Sequence, residues 1–243
     1  GLDHVDVPEA TRRGIWVSNT AGTLTAAVAE YTWGLILALV RRISEGERFL
    51  RAGKWRGVSP LFFLGHDLPG KTLGVVGGGR IGRAVMEKAG AFGMRSVYWS
   101  RSPREGLAGW RPLDDLLRES DVVVLAVALT PETLRLLDAR RLGLLKPTAY
   151  LVNVARGAVV DEAALARALL EKRLAGAALD VYEREPEVHP DLLRCENALL
   201  APHLGSATVE TRTLMAATAV ANLLAGLRGE RPPLAVNEPR PRA

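Results

Sequence analysis

This 243-residue chain has one cysteine, four histidines, 5% aromatic residues and no glutamine. A single thiol excludes an internal disulfide, so Cys195 fits a reducing cytoplasm. Its neighbours Arg194 and Glu196 give no nucleophile context, and it reads as a passive thiol. His4, His66, His189 and His203 are too scattered for metal-ligand spacing, so no metal site is expected. The longest apolar stretch, Gly34–Val40, is far too short to span a bilayer. The mixed start Gly1-Leu2-Asp3-His4-Val5-Asp6 is no secretory signal, and no membrane partner is expected. The formal net charge is +5, yet the arginines are scattered, with no basic tract and no aromatic-basic interleaving. Nucleic acid is therefore not an expected partner. A basic surface does steer small anions. Neither a Gly-x-Ser-x-Gly elbow nor a P-loop is present.

What is present is an alternation. Apolar runs at Thr72–Val76, Arg95–Trp99, Val122–Ala126, Ala149–Val154, Ala175–Val181 and Ala198–Ala201 read as strands. Helical patterns fall at Arg80–Phe92, Pro112–Glu119 and Asp161–Arg173. Strands that alternate with helices and are apolar almost throughout predict a doubly wound parallel α/β sheet covered on both faces. Upstream, one helix is expected over Thr25–Leu50, from Trp33, Leu37, Val40 and Ile43 at three- and four-residue spacing. Arg51–Leu68 carries breakers and is looser. Residues 1–22 mix apolar and turn residues. A last helix is expected at about Thr208–Arg228, then an irregular tail, Gly229–Ala243.

Gly77-Gly78-Gly79-Arg80-Ile81-Gly82 sits where the first of these strands meets a helix. That context turns a common glycine pattern into an expected dinucleotide site. Gly77 makes the tight turn, Gly79 admits the pyrophosphate, and Gly82 lets helix and strand approach. The helix start at Arg80 and Ile81 presents free N–H groups to phosphate. The second strand ends in Trp99-Ser100-Arg101-Ser102, with no acid to bond a ribose 2′-hydroxyl. Arg101 can instead pair with a 2′-phosphate, with Ser100 and Ser102 donating. NADP(H) is thus expected to be preferred, with NAD(H) possible.

Three further residues follow apolar runs at the sheet edge where ligands bind in such folds: Arg156, Glu185 and His203. An arginine fork grips a carboxylate. A histidine is the side chain most readily protonated near neutrality, and an acid beside it orients the ring. The set suits hydride transfer to a 2-oxo acid, the hydride chemistry being the nicotinamide's. Each residue taken singly has a plainer reading: a salt-bridged arginine, a solvated acid in the charged run Glu183–Glu187, a satisfied buried histidine.

With these motifs, the sequence closely resembles the D-isomer-specific 2-hydroxyacid dehydrogenases. The likeness runs from Gly1-Leu2-Asp3-His4-Val5-Asp6 and Gly14-Ile15-Trp16-Val17-Ser18-Asn19-Thr20 to Pro202-His203-Leu204-Gly205-Ser206. Within the family it looks most like the glyoxylate/hydroxypyruvate reductases. The resemblance implies that Arg156 binds substrate, Glu185 tunes the histidine and His203 donates the proton. It implies that Asp180 lies near the nicotinamide carboxamide, with Val154 and Gly205 also among the cofactor-binding residues. It implies a homodimer formed through the cofactor domain and the helix before it, about 25–65, where Pro60-Leu61-Phe62-Phe63-Leu64 is apolar.

Family members are longer at the N-terminus, by most of a flavodoxin-like substrate domain. Residues 1–24 are therefore expected to be a remnant of that domain, 25–206 the dinucleotide-binding domain, and 207–243 a helix and tail returning to the substrate domain. The leading reading is NADPH-dependent reduction of glyoxylate and hydroxypyruvate. A D-3-phosphoglycerate dehydrogenase-like enzyme, a nucleotide-sensing module and a truncated, non-catalytic NADP(H)-binding relative are the alternatives.

Overall fold

Six short apolar strands cannot each bury two faces alone; side by side they can. The computed structural model describes residues 1–239. In chain order the elements are α1 (Val7–Arg12), α2 (Thr25–Val40), α3 (Ile43–Arg51), β1 (Thr72–Val76), α4 (Arg80–Glu87), β2 (Arg95–Trp99), α5 (Leu113–Glu119), β3 (Val122–Leu125), α6 (Ala139–Leu142), β4 (Tyr150–Asn153), α7 (Glu162–Leu170), β5 (Gly176–Leu179), α8 (Pro190–Leu193), β6 (Ala198–Leu200) and α9 (Val209–Leu227). The strands form one parallel sheet in the order β2-β1-β3-β4-β5-β6. The order reverses between β1 and β3, which makes the carboxyl ends of those strands a crevice for ligands.

Alternation along each strand sorts the core into two layers. Leu73 and Val75 of β1, with Val122 and Val124 of β3, pack beneath Trp33, Ile36, Val85 and Met86. Val76, Val123, Leu125 and Leu151 face the other way, onto Leu113, Leu116, Leu117, Leu165 and Leu169. Trp33 stacks on Phe92 at 4.3 Å and donates its indole N–H to the Val85 carbonyl at 3.0 Å. One compact unit, Val28–Gly205, contains the whole sheet. The other joins Gly1–Ala27 to the described residues from Ser206 onward. Within that second unit two asparagines tie distant segments together. Asn237 accepts from the Val17 amide and donates to the Ile15 carbonyl and the Thr11 hydroxyl; Asn222 accepts from the Leu234 amide and donates to the Asn19 carbonyl. Among the described residues no helix is long and apolar enough to cross a membrane.

Several elements depart from the sequence expectation. The helix expected over Thr25–Leu50 is two, because Arg42 adopts a left-handed conformation (φ 54°). Its guanidinium grips Glu45 at 2.6 Å and lies 4.7 Å from the Phe63 ring. These contacts offset a conformation that the Cβ of an L-residue otherwise disfavours. Arg80–Phe92 is α4 followed by a 3-10 turn at Ala89–Phe92. The first 22 residues hold a helix, α1, capped by Asp6 on the Glu9 amide. His189, just before α8, caps it by accepting the Asp191 amide at 3.3 Å. Residues 229–239 contain no helix, while the last four residues of the expected tail lie outside the described residues.

Asp114 links α5 to α6 by accepting from Arg140 at 2.7 Å and Arg141 at 3.2 Å. Arg140 first, then Arg141, holds its carboxyl well down, at about 2, against the opposing effect of burial. A carboxyl lowered on folding stabilises above its unfolded value and loses that contribution as pH falls through its folded value. Unfolding free energy from urea titrations is therefore expected to drop between about pH 4 and about pH 2. Asp114→Asn should show a smaller drop over the same window.

Candidate active site

The glycine loop is shaped by backbone meeting backbone. Gly77 follows β1 with φ 124°, a region side chains avoid, and its amide bonds the Trp99 carbonyl at 2.8 Å. A Cβ on Gly82 would lie 1.8 Å from the Gly77 carbonyl oxygen, so only glycine lets α4 start this close to the strand. A Cβ on Gly79 would meet nothing within 4 Å, which leaves the mouth of the loop open. No side chain caps α4 at Gly79, so the Arg80 and Ile81 end of the helix keeps its N–H groups and positive dipole end for an anion. This cradle fits the pyrophosphate of a dinucleotide. Val154 lies just past the end of β4 and bonds the Leu125 carbonyl through its amide at 3.4 Å.

Past β2, Ser100 is buried and its hydroxyl donates to the Ser102 carbonyl at 2.6 Å. Trp110 donates to the Ser100 carbonyl at 2.9 Å, bracing the turn. Arg101 and Ser102 are exposed. The charge of Arg101 reaches Glu132, whose carboxyl is lowered, chiefly by the Thr130 hydroxyl. Arg104 is a neighbour the sequence reading passed over. Its amide bonds the Tyr98 hydroxyl at 2.7 Å, and its stem lies 3.2 Å from where a Gly78 Cβ would stand. A second cation thus borders the same loop.

Glu185 and His203 are in direct contact: Glu185 Oε2 is 2.7 Å from His203 Nδ1. The other carboxylate oxygen, Oε1, accepts the Tyr182 amide at 3.1 Å, closing the turn it belongs to. Nδ1 engaged in this way leaves Nε2 as the ring atom open to a reactant. His203 itself has φ 55°, a left-handed conformation in a non-glycine residue. Three bonds to one residue hold it there. The His203 amide bonds the Asp180 carbonyl at 2.9 Å, and the Leu204 and Gly205 amides bond Asp180 Oδ1 and Oδ2 at 2.7 and 2.8 Å. Asp180 is 2% exposed. Burial pushes its carboxyl up, against those two amides, the His203 charge and a hydrogen bond from Tyr31. The Tyr182 hydroxyl donates to the Leu179 and Ala201 carbonyls, at 3.2 and 3.0 Å, and burial pushes it up to about 12.

Arg156 stands three residues past the end of β4, on a loop fixed by Asn153. The Asn153 amide group donates to the Arg156 carbonyl at 3.0 Å, and its oxygen accepts the Ala155 amide at 3.0 Å. Arg156 Nη1 donates to the Ala155 carbonyl at 2.8 Å. The next residue, Gly157, touches the Glu185 turn: a Cβ there would lie 1.8 Å from the Tyr182 carbonyl carbon. The structure therefore joins Glu185 to His203 directly and the Arg156 loop to the Glu185 turn through Gly157. A fixed cation, an imidazole with one nitrogen anchored and a carboxylate behind it can hold a carboxylate and move a proton.

The family model described as D-isomer specific 2-hydroxyacid dehydrogenase, NAD binding domain, matches residues 33–205. The glyoxylate reductase of Thermococcus gammatolerans is 51% identical over 247 residues, which cover 98% of this chain and 74% of that one. Its counterpart in Thermococcus kodakarensis is 52% identical over 98% of this chain and 74% of its own length. A Thermus thermophilus protein of known structure superposes with a TM-score of 0.93 at 49% identity, over 98% of this chain and 76% of that one. The NADPH-dependent glyoxylate/hydroxypyruvate reductase of Sinorhizobium meliloti, solved with NADP and malonate, superposes with a TM-score of 0.90 at 41% identity, over 100% of this chain and 77% of its own.

Because the Gly157 contact is backbone on backbone, Gly157→Ala must force the two loops apart. It is expected to lower the unfolding free energy by about 1–3 kcal/mol in urea titrations, the usual cost of overpacking.

Proposed function

The chain belongs to the D-isomer specific 2-hydroxyacid dehydrogenase family, so it is an NAD(P)-dependent dehydrogenase, and we propose that it reduces small 2-oxo acids with NADPH. Glyoxylate to glycolate and hydroxypyruvate to D-glycerate are the reactions we assign. The observation that carries the assignment is the 2.7 Å Glu185–His203 pair at the sheet edge that also bears the glycine cradle.

In this reading Arg156 binds the substrate carboxylate with its planar fork and orients the adjoining carbonyl. With its pyrophosphate held in the glycine cradle, a bound dinucleotide would supply the hydride from its nicotinamide ring. His203 delivers a proton from Nε2 to the carbonyl oxygen. Glu185 steadies the ring by its bond to Nδ1. Asp180 acts on the same loop from below and takes part in cofactor binding. Gly77, Gly79, Gly82 and the amides at Arg80 and Ile81 hold the pyrophosphate; Val154 and Gly205 line the nicotinamide side.

The preference for NADPH is supported by the residues after β2. No carboxylate stands among residues 100–104, and Arg101 is exposed with Ser102, while Arg104 borders the glycine loop. A 2′-phosphate would meet cations there rather than an acid. NADH remains a usable second cofactor. A cytoplasmic place of action is part of the same reading, supported by the single, buried thiol of Cys195.

We also propose a homodimer through the cofactor domain. Val58 and Leu61 are 85% and 81% exposed, and Ile43, Leu50, Trp55 and Leu64 nearby are exposed too. Apolar surface of this kind marks an interaction site. Sedimentation equilibrium should give twice the 26.2 kDa of one chain, and Leu61→Glu should shift the mass toward the single chain.

The test of the enzymatic reading is the initial rate of NADPH oxidation by the 243-residue chain with hydroxypyruvate, with NADH in parallel. Turnover faster with NADPH is expected. Faster turnover with NADH would overturn the role of Arg101, and no turnover with either would leave a non-catalytic NADP(H)-binding relative. His203→Asn should lower kcat by about 10²–10⁴-fold, the usual contribution of a proton donor, with NADPH binding unchanged by fluorescence titration.

A further inference from the structure

The turn that carries Glu185 rests on a second acid, buried beneath it. Glu162 is the first residue of α7 and is 6% exposed. Its Oε1 accepts the Glu183 amide at 2.6 Å, two residues before Glu185. In the opposite direction the Glu162 amide faces Glu183 Oε1 at 3.5 Å, too long to add much.

The helix does not need this acid as its cap. Asp161 already fills that role by accepting the Ala164 amide at 2.9 Å. Packing does not need it either. An apolar side chain of similar volume would fill the space without the cost of burying a carboxyl. That cost is visible: burial pushes the Glu162 carboxyl up, and the charges of Glu183 and Glu185 act in the same sense, opposed by the Glu183 amide and His189. Arg135, 4.0 Å from Glu183 Oε1, is a further charge on the turn.

The bond falls on a sensitive point. Tyr182 is held by its hydroxyl and by the close approach of Gly157. Beyond it, the Glu183 amide is where the turn meets α7, and the next side chain but one must reach His203 Nδ1. A shift of a few tenths of an ångström at Glu183 would lengthen a 2.7 Å contact at its far end.

We propose that Glu162 is a positioning residue for the Glu185–His203 pair: its carboxyl fixes the Glu183 amide and so sets where the Glu185 carboxylate meets the imidazole. This rests on the reading of His203 as proton donor.

Two variants in the full chain test it. Glu162→Met keeps volume and removes the acceptor; Glu162→Gln keeps an oxygen for the Glu183 amide. With hydroxypyruvate and NADPH, Glu162→Met should lower kcat about tenfold while KM for hydroxypyruvate and the affinity for NADPH stay within about twofold, the pattern of a change felt in the reacting step. Glu162→Gln should retain at least about half of kcat. In a Glu185→Ala background, Glu162→Met should cause no further loss, since both act through one contact. The tautomer of the neutral His203 ring gives a reading without turnover. Long-range ¹H–¹⁵N spectra should show the proton on Nδ1 in the parent and in Glu162→Gln, and a mixture in Glu162→Met.

The proposal is overturned if Glu162→Met only lowers the melting temperature and keeps kcat and the tautomer. It is equally overturned if Glu162→Gln is as damaging as Glu162→Met, or if the losses add in full to those of Glu185→Ala. Should Glu162→Met not fold, Glu162→Ala takes its place under the same outcomes. A parent chain without turnover would sink the reductase reading, and the spectra alone would then decide the role of Glu162.

Discussion

Three backbone contacts, each made where no Cβ can stand, set the positions of everything else at the sheet's carboxyl edge. Gly82 lies on the Gly77 carbonyl, Gly77 on the Ala126 carbonyl, and Gly157 on Tyr182. In each case a methyl group would sit within 2.5 Å of a main-chain atom. Backbone cannot yield as a side-chain tip can, so these contacts fix the spacing of whole segments. The first two draw α4 onto β1 and the β1 loop onto the end of β3, which leaves the cradle open at Gly79. The third seats the Arg156 loop against the Glu185 turn.

On that frame, polar bonds set the orientation of individual groups. His203 stands in a left-handed conformation that costs about 1–2 kcal/mol in a residue with a side chain. The cost is met by Asp180, which takes the amides of residues 203, 204 and 205 with three of its own oxygens. A buried acid is expensive unless bonded, and here it is bonded to the strained turn itself. Asn153 does the same for Arg156 with an uncharged group. Asp180 and Asn153 thus each have their partners in the loop that carries His203 or Arg156.

Much of this was legible in the sequence, for physical reasons. The inner strands of a sheet covered on both faces must be buried throughout, so Thr72–Val76 stands out with its ends correct; Arg95–Trp99, an edge strand with Arg95 exposed, is recognisable by Val97, Tyr98 and Trp99, and its ends are also correct. The glycine loop is readable because its conformations exclude other residues. Arg156, Glu185 and His203 are readable because the chain order of a parallel sheet puts every such loop on one edge. The break at Arg42 was hidden, since the apolar spacing runs on from Leu37 and Val40 to Ile43. Helix α1 was hidden because it buries no residue, although Asp6 and Pro8 are start signals. Glu162 and Gly157 carry no local signal at all. Their partners lie 21 and more residues away in the chain, and only the folded sheet brings them into contact.

The contact at Gly157 also bears on how such a site can be altered. Because Arg156 and the Glu185 turn abut through main chain, the two loops form one jaw rather than two fingers. An insertion or a bulkier residue in either loop displaces the other, and with it the histidine pair. Variation in the accepted side chain is therefore channelled away from this jaw. Breeding a new preference into the scaffold, by nature or by design, has to work on the surfaces that face it and leave the jaw as it stands.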